Sequence, residues 1–564
     1  MWQHNYEPIG GSLALSAVVA AIPIVVLFVM LGVLRKAAWI SALSALISAM
    51  IVALAAYGMP ADLAVISTIY GAAYGVFPIA WIVFASIMLY RLAVDTGKFE
   101  IIKDSVGSLT DDRRLQAMFI AFSFGAFIEG AAGFGAPVAV SGAMLAGLGF
   151  NPFYAAGICL LANTAPVAFG SIGIPVTTLA NVTGLPVLPL SGTVGMLCAM
   201  ISIVIPGYLI VVMAGAKRAL EVLPAIAACG LSFAAVQFYV SRTKGPELTD
   251  ILSSLTCIVV MIAVLKFWKP ASIMRLEGDQ PVSATKPKHT GGQIFMAWVP
   301  YLLLVVFVLA WGERSIKPTI NELGNSVIPV TLPTTNGSAD GMVATRLTVP
   351  GLHNQITRVE PVVPKPTPYA ALYELNWLSA SGTACFLAIL ATAVVLRVRP
   401  RQVVKTYVDT FKQLKFAILT IASMLGLAYL MNYSGMTSTL GLAMAASGSL
   451  FPFFSAMVGW LGVFLTGSDT SANALFGNLQ VVTANAIGLN PILTASVNSA
   501  AGVMGKMISV QSIAVAVAAT GMTRADESRL FRFTIKHSVL LMAAMGIISM
   551  LFAYVFPQAV PTVP

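Results

Sequence analysis

What most constrains this chain is a succession of long apolar stretches, such as SLALSAVVAAIPIVVLFVMLGVL at positions 12–34. A helix needs about 20 apolar residues to cross a hydrocarbon core about 30 Å thick. Many such stretches in series imply an all-α polytopic membrane protein. Only 10% of the residues are charged, against about 25% in soluble domains, and the mean hydropathy is +0.88. The expected spans are 12–34, 38–57, 66–93, 153–180, 190–215, 220–240, 250–268, 293–311, 371–396, 416–432, 490–521 and 534–557, about 12 in all. The first has no basic leader and no clear cleavage site, so it is expected to remain in the mature protein.

Two further apolar stretches, 114–150 and 449–488, are interrupted near their middles and read as re-entrant hairpins. With the N-terminus outside and each hairpin returning to its own side, 24 of the 32 Lys and Arg fall inside. They include Arg35 and Lys36, Lys217 and Arg218, Lys286 and Lys288, and the run from Arg397 to Lys415. Cytoplasmic loops carry such an excess, so both termini and the loop 312–370 are expected outside. The net charge of +10 is then an orientation signal and not a nucleic-acid footprint. The loop 312–370, rich in Pro, Thr, Gly and Asn, should be an irregular external segment.

Five cysteines lie inside apolar stretches without CxxC spacing, and the four histidines form no ligand cluster. No metal, cofactor or disulfide is expected. An enzyme is disfavoured too, because the chain has no HExxH, GxSxG or nucleotide-binding loop.

The chain repeats itself. GLGFNPFYAAGICLLANTAPVAFG (147–170) parallels AIGLNPILTASVNSAAGVMG (486–505), with Asn-Pro at 151–152 and 490–491 and Asn163–Gly170 against Asn498–Gly505. Upstream, VDTGKF at Gly97 parallels NYSGMT at Gly435. The first copy starts from the inside and the second from the outside, which makes an inverted repeat. The expected organisation is N-terminal scaffold helices (1–65), a first repeat (66–215), connecting helices (216–311), the external loop (312–370) and a second repeat (371–564). Each repeat would hold a surface arm (98–110; 435–447), a hairpin (114–150; 449–488) and a broken helix (153–180; 490–521). The breaks are NTAPVAFGSIGIP (163–175) and NSAAGVMGKMIS (498–509). Gly/Pro-interrupted segments at matching places in two halves point to a transporter's binding site. The limb 114–128 would be roughly 22 Å long and end near mid-bilayer. Its tip frees backbone groups that are tolerable only against protein or a water-filled cavity.

The segments IEGAAGFGAPVAV (128–140), NTAPVAFGSIGIP, GWLGVFLTGSDTSANALF (459–476) and GKMISVQSIA (505–514) resemble signature segments of the bacterial L-lactate permease family. YGAAYGVFPIAWIV (70–83), GPELTDILSSL (245–255), NWLSASGTA (376–384) and the opening WQHNYEP extend the resemblance over nearly the whole chain. It implies proton-coupled uptake of lactate, glycolate and related 2-hydroxy monocarboxylates, D-lactate included, across a bacterial inner membrane by an elevator-like movement. Oligomeric state is left open, a homodimer being one option. Spacing alone indicates only an inverted-repeat carrier for a small solute.

Such a solute needs a cation or N–H donors for its carboxylate, a polar partner for its hydroxyl and a small apolar wall. Glu129, Asp469 and Lys506 fall at membrane depth, where ionisable groups are functional candidates by default. Lys506, placed just after the second break, is the expected carboxylate partner; the plainer reading pairs it with Asp469. Glu129, with no cation near it in sequence, is the favoured proton-coupling group, with Asp469 second. The plainer role for Glu129 is a neutral clamp on the tip backbone. Asn163, Thr164, Asn498, Ser499, Ser468, Thr470 and Ser471, with Gly133 and Gly135, are substrate-contact candidates. Each is equally explained by satisfying unwound backbone or by close packing. Tyr70 and Tyr74, one helical turn apart, gate or simply pack. Two rival transport readings are a sodium-coupled carboxylate carrier, built on TGSDTSAN (466–473), and a channel.

Overall fold

Ten helices are long and apolar enough to cross a membrane among the described residues of the computed structural model, and two bent helix pairs raise the number to 12. The structure describes residues 1–275, 289–313, 316–327, 334–339 and 342–562. Lys286, Lys288 and parts of the loop 312–370 lie outside the described residues.

The helices confirm a multi-pass α-helical membrane protein. Two corrections concern which helices span. Met436–Thr466 passes by length, but Gly448 (φ 54°, ψ −131°) breaks it into an arm and a hairpin limb. Ser381–Val395 has only 15 residues, yet it packs along the spanning helices Gly291–Gly312 and Trp81–Asp95. We therefore count it as a span.

The two halves use the same local devices. Asn151 caps the helix Pro152–Ala162 by accepting from Phe153 N at 3.0 Å. Asn490 caps Pro491–Lys506 by accepting from Ile492 N at 2.9 Å. In both, Pro follows at the first helical position, where its missing N–H costs nothing. The arms Lys98–Gly107 and Met436–Met444 each start after a left-handed glycine, Gly97 (φ 70°) and Gly435 (φ 86°).

The span expected at 66–93 is not one helix. Ala61–Tyr74 and Trp81–Asp95 flank a wide turn in which Phe77 is extended (φ −139°, ψ 126°). Pro78 follows it, and a proline biases its predecessor away from the α region. The helix Pro400–Tyr433 starts well before the expected residue 416. Its first half buries Thr406, Thr410 and Leu414 along one face and exposes Lys405, Lys412 and Lys415. That four-residue spacing is an amphipathic stripe.

The loop 312–370 is not irregular throughout its described residues. Trp2–Gln3 pairs in parallel with Ile356–Thr357, and Thr334–Ala339, Met342–Thr348 and Leu372–Glu374 form a second small sheet. His4 Nε2 donates to the Tyr433 carbonyl at 2.9 Å, fastening the N-terminus to the end of a spanning helix. Tyr70 and Tyr74 donate their hydroxyls to the Leu372 carbonyl at 2.7 and 3.1 Å. They tie this layer to the helix Ala61–Tyr74.

Candidate functional site

The first hairpin is built from a limb running through Arg113–Gln116, Ala117–Phe124 and Gly125–Ala131, and a return limb Ala136–Gly147. The first limb reaches beyond the expected residue 128 and lies antiparallel along the connecting helix Thr249–Phe267. At its base Arg113 N donates to the Met274 carbonyl at 3.1 Å. There the fully buried Arg114 meets Asp112 and Glu221, each at 2.7 Å. At the tip, Gly133 (φ 61°), Phe134 (φ 51°) and Gly135 (φ 83°) reverse the chain. Ser171 Oγ donates to the Ala132 carbonyl at 2.7 Å, binding this tip to the first broken helix.

The first broken helix bends by 64° between Pro152–Ala162 and Val167–Thr183. Beyond Pro166 the residues Ser171 (φ 47°), Ile172 (φ 60°) and Gly173 (φ 71°) are all left-handed. That conformation costs about 1–2 kcal/mol per non-glycine residue and is an outlier for a β-branched one. Strain of this kind persists where the surroundings over-determine it, commonly at functional sites. The carbonyl of Ala165, freed by the break, accepts from Gln237 Nε2 at 3.2 Å.

The second break differs from expectation. Pro491–Lys506 stays helical through Asn498 and Ser499, and the 41° bend comes only before Val510–Ala519. Ala501 stands where the first copy has Pro166, so nothing interrupts the hydrogen-bond ladder. Lys506 therefore ends the helix before the break, and Asn498 and Ser499 face the second hairpin from a regular helix.

That hairpin, Phe451–Thr466 and Asp469–Ala486, turns on Gly467 and Ser468. Ser468 Oγ caps the return limb by accepting from Ser471 N at 3.2 Å. Thr470 and Ser471 occupy its first turn. Asp469 Oδ2 accepts from Ser499 Oγ at 2.6 Å and from Asn473 Nδ2 at 3.4 Å. Asn498 Nδ2 donates to Asn473 Oδ1 at 2.9 Å, while its own oxygen accepts from Gln480 at 3.1 Å. Asn473 also donates to the Pro175 carbonyl at 3.1 Å, crossing to the other half.

Lys506 Nζ donates to Glu129 Oε1 at 2.9 Å. The pair joins the end of one half's broken helix to the other half's hairpin, with side chains 12% and 3% exposed. Glu129, isolated in sequence, thus has a cation in space, and the alternative Lys506–Asp469 ion pair is not formed. Each hairpin carboxyl lies on a glycine of its own half's broken helix. A Cβ on Gly170 would come within 2.5 Å of Glu129 Oε1, and one on Gly502 within 2.6 Å of Asp469 Oδ1. Any side chain there would evict the carboxyl.

The halves are inequivalent in how their polar groups are used. Asn498 and Ser499 are bonded, whereas both polar atoms of Asn163 and the hydroxyl of Thr164 are buried without a partner among the described residues. Glu129 Oε2 and Asp469 Oδ1 are likewise unpartnered. The site therefore offers a paired cation, a carboxyl with a free oxygen and an unsatisfied amide and hydroxyl near a strained break. The tip glycine Gly133 edges the same region beside Ser171, whereas Gly135 faces Val515. Sequence reasoning missed Asp250, buried beside Gly130. It is the first residue of the expected span 250–268. A carboxyl falling where a span should already be dry was the available signal.

The family profile described as L-lactate permease matches residues 16–556. The L-lactate permease of Bacillus subtilis (strain 168) is 48% identical over 575 residues, covering 99% of this chain and 100% of its own. The glycolate permease GlcA of Escherichia coli (strain K12) is 44% identical, with 98% of each chain covered. The L-lactate permease of Salmonella typhimurium is 44% identical over the full length of both chains. Among solved structures, Neisseria gonorrhoeae MtrF aligns over 86% of this chain and 83% of its own, at 11% identity and a TM-score of 0.45. The Alcanivorax borkumensis YdaH transporter aligns over 88% of both chains, at 12% identity and a TM-score of 0.43.

Proposed function

Because the chain belongs to the L-lactate permease family, we propose that it imports L-lactate and related 2-hydroxy monocarboxylates, glycolate among them, by proton symport. Its place is a bacterial inner membrane, with both termini outside, and its halves alternate access by an elevator-type movement. The names of the full-length relatives support the substrate class.

The observation that carries the coupling is the Lys506–Glu129 pair. Empty, the pair is neutral. A lactate anion entering next to it adds a charge that costs several kcal/mol in a desolvated site. A proton on Glu129 cancels that charge, because the carboxylate becomes an acid and releases Lys506. Lys506 then donates to the substrate carboxylate with the strength of a charge-assisted hydrogen bond. Empty and fully loaded sites carry the same charge, so both cross the barrier. Singly loaded ones do not, and the proton and anion travel together. Asn163 and Thr164, whose side chains lack partners among the described residues, take the substrate hydroxyl. Asp469 acts with Ser499 as the clasp of the second hairpin.

The sodium reading loses support from the second hairpin. Thr466 Oγ1 donates to the Gly462 carbonyl at 2.7 Å, Ser468 is a cap and Asn473 is shared among four acceptors and donors. Uptake of radiolabelled L-lactate into proteoliposomes tests the reading. A pH gradient should drive accumulation and a sodium gradient should not, with glycolate and D-lactate as competitors.

A further inference from the structure

Asp250 stands in the first turn of the connecting helix Thr249–Phe267, outside both hairpins and both broken helices. It is 1% exposed, and neither carboxyl oxygen has a hydrogen-bond partner among the described residues. It adjoins the pair described above: a Cβ on Gly130, the residue after Glu129, would lie 2.8 Å from Asp250 Cβ. The charged and titratable groups that act on it are Glu129 from the first hairpin, Lys506 from the second broken helix and Cys198 from the helix Val187–Ala214. An ionised carboxylate without donors in such a place costs several kcal/mol, so the group rests as an acid. An unbonded acid adds nothing to packing that an apolar residue of its size would not do better. Its use therefore lies in the proton it holds.

Glu247, three residues earlier, lines an open cavity with Lys244, Leu248, Trp311, Glu313 and Ser381. Lys244 and Glu313 pair across it at 3.6 Å, and Ser381 Oγ donates to Glu247 at 3.3 Å. On the proposed orientation, with both termini outside, this cavity lies on the outer side. Asp250 thus adjoins the hairpin segment that carries Glu129 and follows by three residues a carboxylate that lines an open cavity.

We propose that Asp250 is a proton-relay residue, passing protons from the cavity at Glu247 to the free oxygen of Glu129. The Asp250 O–H bond breaks as the Glu129 O–H bond forms. A proton entering from water through Glu247 then restores Asp250, and no other reactant is consumed. This role rests on the proton-symport reading.

The test uses the full chain in proteoliposomes with an internal pH-sensitive dye, following proton entry when L-lactate and a pH gradient are supplied. Asp250→Asn, which cannot hold the proton, should cut lactate-coupled proton entry at least tenfold while L-lactate still raises its Tm. Asp250→Glu should restore entry to within about threefold of wild type. Glu247→Gln should slow entry several-fold, most at high external pH where protons are scarce. Wild-type proton entry by Asp250→Asn overturns the relay but not the symport. No lactate-coupled proton entry by the wild type overturns the symport reading itself. Should Asp250→Asn not fold, undiminished entry by Glu247→Gln at every pH overturns the relay.

Discussion

Lys506 and Glu129 are 377 residues apart in the chain and 2.9 Å apart in space. This contact ties the two halves together where the second broken helix bends and the first hairpin turns. A buried charge left without its partner costs about 3–5 kcal/mol. Lys506→Ala should therefore lose both L-lactate binding and stability. The double variant Lys506→Ala/Glu129→Gln should recover most of the stability and none of the binding. Thermal unfolding with and without L-lactate checks both.

Ser499 Oγ donates to Asp469 Oδ2 at 2.6 Å, and the hairpin turn depends on it. Hydrogen bonds to charged groups are worth about 1.5–3 kcal/mol. Ser499→Ala should cost about that much and raise amide exchange across residues 466–473. Asn498→Ala removes two neutral bonds, one to Asn473 and one from Gln480, each worth about 0.5–1.5 kcal/mol.

Both polar atoms of the Asn163 amide are buried without a partner among the described residues, and on the proposed reading a ligand takes them. Asn163→Ala should weaken L-lactate binding about tenfold, equivalent to about 1.4 kcal/mol. Propionate, which lacks the hydroxyl, should bind almost as before. Competition of both acids against radiolabelled L-lactate reads the ratio. An equal loss for both acids would assign Asn163 to backbone satisfaction instead.

Much of the architecture was legible because the membrane makes irregular backbone conspicuous. Glycines and prolines in apolar stretches marked both hairpins and the first break, where Pro166 stands. The second break falls within the expected 498–509 but starts later, because the alignment of Asn498 with Asn163 carried its start too far back. Yet helicity follows the residue at 501, which is alanine. The turn at Phe77 was signalled by Pro78 and passed over. Which cation faces Glu129 was not readable, since packing of separate halves decides it. The same holds for the sheet joining Trp2–Gln3 to Ile356–Thr357, a pairing across most of the chain. Asp250 was hidden by its position, not by its chemistry.

Acid should loosen the docking of the N-terminus. Burial above all, with the charge of Arg358 adding to it, pushes the His4 imidazole down to about 4, against the opposing pull of its bond to the Tyr433 carbonyl. In a detached N-terminus it would titrate near about 6.5. The detached state therefore binds more protons between those values. Docking is fully stable above the higher one and weakens as pH falls toward the lower, by up to about 1.4 kcal/mol per unit. Amide exchange of residues 2–6 should rise between pH 7 and pH 5 (about the middle of that window). His4→Gln should flatten the dependence.

The most direct test of the coupling is L-lactate uptake by Glu129→Gln in proteoliposomes under an imposed pH gradient. A glutamine keeps the shape of the site and cannot exchange the proton. The variant should still swap internal for external lactate, yet fail to accumulate it when the gradient is applied. Accumulation at the wild-type level would contradict the assignment of Glu129 as the coupling group.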